Sequence, residues 1–437
     1  MSIIESIRNA GVVGAGGAGF PAHVKASSQV DTVIANGAEC EPLIHKDLEL
    51  MFHHAERVVH GVALQMKSTG AQHGIIGVKA KNKAAVVAFE KAIVGTPLTI
   101  HQLGDFYPSG DEFILVYEST GRLIPPKGIP LNIGVVVNNV ETLYNISLAY
   151  EGKPVTEKFI TVAGAVRHPV SFAVPVGMSY RDAIEAAGGA SVSEFAVFVC
   201  GIMMGKLEFN LDLPITKTTA GLVVLPLDHT LVQRKAQPEH SMHRIGKSAC
   251  DQCSYCTELC PRYILGYDVQ PHKVMRSLGF TATGEAFWNQ YADLCCSCGL
   301  CTLYACPESL FPKEACDKSK RDMKEQGLTW SGKMGVEPHP MYEGRRTPLK
   351  MLVKRLGVTE YDHVSEFSDK KHSPSKVEIP LAQHIGVAAE PTVRVGERVT
   401  QEQCIGEVPD GKLGARVHAS IDGVVRKVGD TVVIHHE

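Results

Sequence analysis

Thirteen cysteines stand in the 437-residue chain, and most of them fall in one stretch. The first run is Cys250, Cys253, Cys256 and Cys260, followed by Pro261, in the pattern C-x-x-C-x-x-C-x-x-x-C-P. The second is Cys295, Cys298, Cys301 and Cys306, followed by Pro307, with one extra residue before the last cysteine. Each run brings three thiols onto one tight loop, within reach of three corners of an iron–sulfur cube. The fourth cysteine, before proline, lies far enough along to ligate the other cube of a two-cluster protein. The spacing predicts one [4Fe–4S] cluster on Cys250, Cys253, Cys256 and Cys306, and a second on Cys295, Cys298, Cys301 and Cys260. Zinc sites use two C-x-x-C knuckles with four ligands in all, and disulfide frameworks suit small secreted domains, so neither rival fits as well. Cys296 adjoins Cys295 and competes for its corner, although the C-x-x-C-x-x-C spacing favours Cys295. Cys40, Cys200, Cys316 and Cys404 are scattered and read as small core residues.

A second group of residues has the chemistry of a nucleotide site. Gly11, Gly14, Gly16, Gly17 and Gly19 crowd one loop, where backbone amides can approach a phosphate closely, and Lys25 adds a charge nearby. The spacing is not the dinucleotide fingerprint, and a tight turn is the plain alternative. Asn36, Glu39 and Glu41 cluster at the end of an apolar strand, where open α/β sheets place ligands. Tyr107, Gly110, Asp111 and Glu112 mark a turn before a helix. Asn138 and Asn139 close another strand, and their amides can donate to and accept from a flavin ring or ribityl chain.

The elements that must hold these groups divide the chain. Residues 1–150 alternate strand and helix, with helices near 2–10, 46–68 and 82–93, and strands near 75–79 and 98–103. That alternation predicts a parallel sheet covered by helices. Residues 155–230 give alternating strands, a turn and a helix stopped by Gly188-Gly189, with GIMMGK (201–206) in a turn. Residues 240–325 hold the cysteines, with a helical insertion at 269–293 carrying Trp288 and Tyr291. His240 and His243 read as solvated histidines of the approach, and Lys318–Lys324 as a solvated helix face. Residues 326–376 read as a linker with one helix near 348–356, and residues 377–437 as all β. The fold class is therefore multidomain α/β and α+β. With 44% hydrophobic and 21% charged residues and a formal charge of −3, the composition makes no case for nucleic acid or an anionic membrane. No signal peptide or membrane span is read, and cysteines at cluster spacing without an export signal point to a reducing cytosolic setting.

GAGGAGFP, NGAECEP, YPSGDE and VVNNVETL, in this order, resemble the flavin domain shared by the Rnf complex C subunit and the 51-kDa NADH-oxidising subunit of respiratory complex I. The resemblance implies FMN contacts at Gly14, Gly16, Gly17, Lys25, Asn36, Asp111, Asn138, Asn139 and Thr142, with Gly110 a further cofactor-binding position of the turn. It implies NADH contacts at Gly19, Phe20, Glu39, Glu41, Tyr107 and Glu112. Two departures are that Asp111-Glu112 stands where complex I has its acidic pair, and that Ala15 stands where its loop carries Arg. Residues 155–230 look like the β-grasp SLBB domain of the same family, which reads as a structural spacer. The C-terminal QHIGVAAEP…HASIDGVV stretch resembles a lipoyl-like barrel-sandwich hybrid, without the lysine motif that would carry lipoate or biotin. In Rnf C that module comes first. The order seen here is similar to the cobalamin reductases of propanediol-utilising microcompartments. That resemblance implies FMN, two [4Fe–4S] clusters, NADH as donor and cob(III)alamin reduced towards cob(II)alamin and cob(I)alamin in support of a diol dehydratase. It also implies residence in a bacterial microcompartment, beside its enzymes or shell proteins. The alternatives left open are an Rnf C-like flavoprotein recycling NAD with another acceptor, and a non-catalytic relay or scaffold.

Overall fold

The computed structural model describes residues 1–278 and 289–437. In the first unit, α1 (Ile3–Asn9) opens with a capping box, in which Ser2 and Glu5 satisfy each other's backbone amides. After α2 (Ala22–Ala26) come β1 (Thr32–Gly37), α3 (Lys46–His53), α4 (Ala55–Thr69), β2 (His73–Lys79), α5 (Lys83–Ala92) and β3 (Leu98–Leu103). A short β4 (Phe106–Tyr107), α6 (Glu112–Thr120), β5 (Val135–Asn139) and α7 (Val140–Tyr150) complete it. The sheet is parallel in the order β3-β2-β1-β5. Both faces are covered, which is why β1 and β5 are apolar runs rather than alternating ones; Val33, Ala35, Ile76 and Val136 are buried in one core. The chain steps one way from β1 through β2 to β3 and then returns to the other side of β1 for β5. The crevice at the C-terminal ends of β1 and β5 is therefore the topological switch point, and Asn36 and Asn139 are paired across it.

The helix expected over 46–68 is broken at His54, which ends α3 with φ −130°. Its ring is taken into an aromatic cluster, 5.2 Å from Tyr144 and 5.8 Å from Phe159, a tertiary contact that helical periodicity does not encode.

The second unit is a mixed sheet of β6 (Glu157–Gly164), β7 (Val170–Pro175), β8 (Phe195–Val199), β9 (Lys206–Glu208) and β10 (Gly221–Pro226), packed on α8 (Tyr180–Ala186). The cysteine unit follows with α9 (Thr230–Lys235), α10 (Glu239–Ala249), α11 (Tyr255–Glu258), α12 (Pro261–Ile264), α13 (Pro271–Ser277) and α14 (Pro312–Glu325). The insertion expected at 269–293 is α13 at its start and a 3₁₀ turn, Gln290–Ala292, near its end; its middle, with Trp288, lies outside the described residues. The extra residue before Cys306 is taken up by a π-helical turn over Cys301–Ala305, closed by the Cys306 N–H on the Cys301 carbonyl at 3.2 Å.

Residues 326–376 do more than link. β11 (Thr347–Pro348) pairs with β4, α15 (Leu349–Leu356) follows, and β12 (Phe367–Ser368) adds an edge strand beside β7. The C-terminal unit, β13 (Lys376–Pro380) through β19 (Thr431–His435), forms two small sheets around Val377, Ile379, Ile405, Val425 and Ile434. It docks on the first unit: the Ile385 N–H donates to the Gly19 carbonyl at 3.0 Å. Lys217, from the second unit, joins all three by donating to the carbonyls of Gly11 at 2.8 Å and Arg416 at 2.7 Å.

Candidate functional site

The glycine loop folds back on itself through Gly14 N–H to the Phe20 carbonyl at 2.9 Å and Gly19 N–H to the Gly14 carbonyl at 3.2 Å. Its crest, Gly16, Gly17 and Ala18, is exposed, and the amides of these three donate to no group among the described residues. Gly17 takes φ +110°, with open space where a Cβ would stand. A row of free amides on a loop at a switch point is a phosphate cradle in waiting. Thr142 holds the loop from beneath, accepting from the Ala15 N–H at 2.9 Å. Asn139 caps α7 through the Glu141 N–H at 2.9 Å and donates to Asp47 at 2.8 Å, lying under Gly16. Lys25 donates to the Val137 carbonyl at 2.7 Å. Burial lowers its pKa while Glu112 opposes, and burial raises Glu112 while Lys25 opposes. Asn36 donates to the Gly110 carbonyl at 2.8 Å and so fastens the YPSGDE turn to the end of β1. The donor set suits FMN: free amides for its phosphate, a lysine, and amide side chains at two paired strand ends.

Other residues expected at the nucleotide turn elsewhere. Asn138 is buried and meets Gln65 at 3.3 Å. Glu41 accepts from the Met203 N–H at 2.5 Å, across to the second unit, and burial raises its pKa to about 7. Glu39 accepts from the Asp47 N–H at 3.1 Å, and burial, then Asp47, raises it to about 8. Tyr107 is buried, and its hydroxyl donates to the Cys298 carbonyl at 2.6 Å. Asp111 caps α6 at Phe113 N (3.0 Å) and pairs with Arg262 at 2.8 Å. Phe20 is half-buried beside the loop crest.

A buried charge network beneath the crevice was not singled out by the sequence reading. Lys46 meets Asp47 at 2.5 Å and Glu141 at 2.8 Å, while Lys158 pairs with Glu141 and donates to the Ala15 carbonyl at 3.1 Å. Charged residues inside otherwise apolar elements were the one available signal.

The two cysteine runs interleave. Cys250, Cys253, Cys256 and Cys306 line one cavity with His272 and Met275. The Gln252 amide donates to Cys250 Sγ at 3.1 Å and the Leu310 N–H to Cys306 Sγ at 3.3 Å. The Cys256 thiol is pushed up to about 12, first by burial and then by Cys306, Cys250 and Cys253. Cys260 is raised by burial and then by Cys295 and Cys296, and Cys298 has Cys296, Cys260 and Cys301 around it. Gln252, Ser254 and Ser297 take φ 63°, 63° and 56°, the left-handed turns that wrap each loop around its thiols. Such thiols bind a cluster as thiolates, with release of protons. Among the described residues no three His, Cys, Asp or Glu side chains converge on a single metal ion. A cubane differs, because each thiolate meets its own iron. Cys316, expected in a core, is buried against Cys295, whose pKa its hydrogen bond lowers to about 6. Cys296 meets Cys298 and Arg262. His243 lies 3.9 Å from Glu239 on α10.

Known families match the chain in segments: the Nuo51 FMN-binding domain at residues 7–148, the SLBB domain at 159–194, a 4Fe-4S dicluster domain at 249–311 and the RnfC barrel sandwich hybrid domain at 359–437. Cobalamin reductase PduS of Citrobacter freundii is 42% identical, over 98% of this chain and 94% of that one. PduS of Salmonella typhimurium is 41% identical, over 99% and 95%. The Rnf-type C subunit of the proton-translocating ferredoxin:NAD(+) oxidoreductase complex of Clostridium ljungdahlii is 35% identical, over 59% and 55%. With an FMN-binding domain and a dicluster domain in one chain, the machinery is that of flavin and iron–sulfur electron transfer. The chain belongs to the PduS cobalamin reductase family, itself related to the Rnf C subunits.

Proposed function

We propose that this protein carries electrons from NADH through FMN and two [4Fe–4S] clusters to cobalamin, lowering cob(III)alamin towards cob(II)alamin and cob(I)alamin. The observation that carries the reading is the interleaving of the two cysteine runs, with one group fastened to the turn that borders the switch-point crevice. FMN, when bound, accepts two electrons from a hydride donor and releases them singly, and each cluster takes one.

The chain's own residues supply place and charge. The Gly16, Gly17 and Ala18 amides hold the phosphate, Lys25 and Asn36 orient the flavin, and Asn139 and Thr142 fix the loop that presents it. Phe20 and Glu112 border the side open to NADH. Tyr107 and Asp111 tie the flavin-side turn to the loop of Cys298 and to Arg262, so the cluster on Cys260, Cys295, Cys298 and Cys301 is the flavin-side one. The cluster on Cys250, Cys253, Cys256 and Cys306 lies on the exit side, where Cys253 is exposed. In this reading residues 1–150 take FMN and NADH, 155–230 and 377–437 brace the glycine loop, and 240–325 hold both clusters. Cobalamin as acceptor, and a place in a microcompartment beside a diol dehydratase, are supported by the names and near full-length likeness of the PduS relatives. Among the described residues no helix is long and apolar enough to cross a membrane.

The test is anaerobic mixing of the flavin- and cluster-loaded protein with NADH, followed by cob(III)alamin. Flavin bleaching and then a cob(II)alamin band are expected. Bleaching with cobalamin left oxidised would replace the acceptor with another carrier, and no bleaching would remove NADH as donor.

A further inference from the structure

Arg262 follows the Cys260-Pro261 pair at the start of α12. Its Nη2 donates to Asp111 at 2.8 Å, with the two side chains only 8% and 12% exposed. Its guanidinium lies 3.5 Å over the Phe113 ring. The same group reaches the Cys296 thiol. Its Nε is buried and has no hydrogen-bond partner among the described residues. Leaving a buried N–H unsatisfied costs about 1–3 kcal/mol, so an acceptor is expected there, and a cluster sulfur is the acceptor this loop is built to hold.

The lysines at these cysteines are balanced differently. Lys320 donates to the Cys295 carbonyl at 3.1 Å and to Ser297 at 2.6 Å, and Asp317 stands between it and Lys313. Arg262 joins the cysteine loop to the flavin-side turn by a charge pair, as a dipole whose anion is Asp111, where Tyr107 joins them only through the neutral hydrogen bond to the Cys298 carbonyl.

Reduction by one electron leaves a cluster one unit more negative. A buried cation or an N–H directed at its sulfurs favours that state. We propose that Arg262 is a positioning residue that raises the reduction potential of the cluster on Cys260, Cys295, Cys298 and Cys301, with Asp111 as the counter-charge that limits the rise. The proposal rests on the two-cluster reading above. It makes the flavin-side cluster a better acceptor than its cysteines alone would, and it gives the Cys-Pro-Arg sequence a function beyond ligation.

The experiment is an EPR-monitored redox titration of the holoprotein, with the exit-side signal identified by its loss in Cys306→Ala. Arg262→Gln should lower the reduced-to-oxidised ratio of the flavin-side cluster about tenfold at fixed potential, equal to about 59 mV for one electron. The other cluster should stay where it is. Arg262→Lys keeps the charge and should recover most of the loss. Asp111→Asn should shift the same signal the opposite way, and asparagine still caps α6. The proposal is overturned if Arg262→Gln moves nothing, if both clusters move together, or if Asp111→Asn moves the signal in the same sense as Arg262→Gln. Should Arg262→Gln fail to assemble its cluster by iron content, Asp111→Asn decides alone, a rise supporting the proposal and a fall or no change sinking it. Wild-type protein with only one cluster signal would overturn the two-cluster reading first, and this inference with it.

Discussion

Cys306 stands in the second cysteine run but shares its cavity with Cys250, Cys253 and Cys256. Replacing it with alanine should therefore remove the cluster of the first run and spare that of its own. Iron content should fall by half and one of the two EPR signals should vanish; loss of both, or of the flavin-side signal, would contradict the interleaved arrangement. Glu41 supports a different prediction. Its pKa is raised by burial from 4.5 to about 7, so the folded state holds a proton that the unfolded state has lost across that interval. Its stabilising contribution is full below about pH 4.5 and is lost as pH rises through about 7, an effect of up to about 3 kcal/mol. Glu41→Gln should flatten the fall in unfolding midpoint between those values, and an unchanged slope would sink the claim. The C-x-x-C-x-x-C spacing within each cysteine run was legible because it is local. The directions of Glu41 and Tyr107 were not, because the partner of Tyr107 lies 191 residues away.

Among the elements, the glycine loop is held by parts from three units. The Lys217 amine donates to Gly11 and Arg416, and Ile385 reaches Gly19. Lys217→Met deletes one buried and one part-buried hydrogen bond, and a loss of about 1–3 kcal/mol is expected. Amide exchange should quicken in residues 11–20 and 383–387 together; quickening confined to the C-terminal unit would show that it does not brace the loop. The strand–helix alternation of the first unit was readable from pattern, as was the all-β character of the last, whose barrel-sandwich form came from its resemblance to a known module. The break at His54 and the strands β11 and β12 were not. Each depends on a distant partner: an aromatic cluster for His54, the short strand β4 for β11 and the edge strand β7 for β12. The π turn before Cys306 was visible in sequence only as one extra residue.

Over the whole molecule, the first and third units meet through Tyr107 with Cys298 and Asp111 with Arg262, so the crevice and the cysteine loops are held in one frame. The order of units was legible in the motifs, but this junction was not, since Arg262 carries no motif of its own. In the proposed function, flavin and both clusters act in series within one chain. An anaerobic NADH titration, with flavin absorbance and cluster EPR read on the same samples, tests it most directly. The chain should take up two electrons for the flavin and one for each cluster, with both cluster signals growing as NADH is added. Flavin reduced to completion while both clusters stay silent would contradict it.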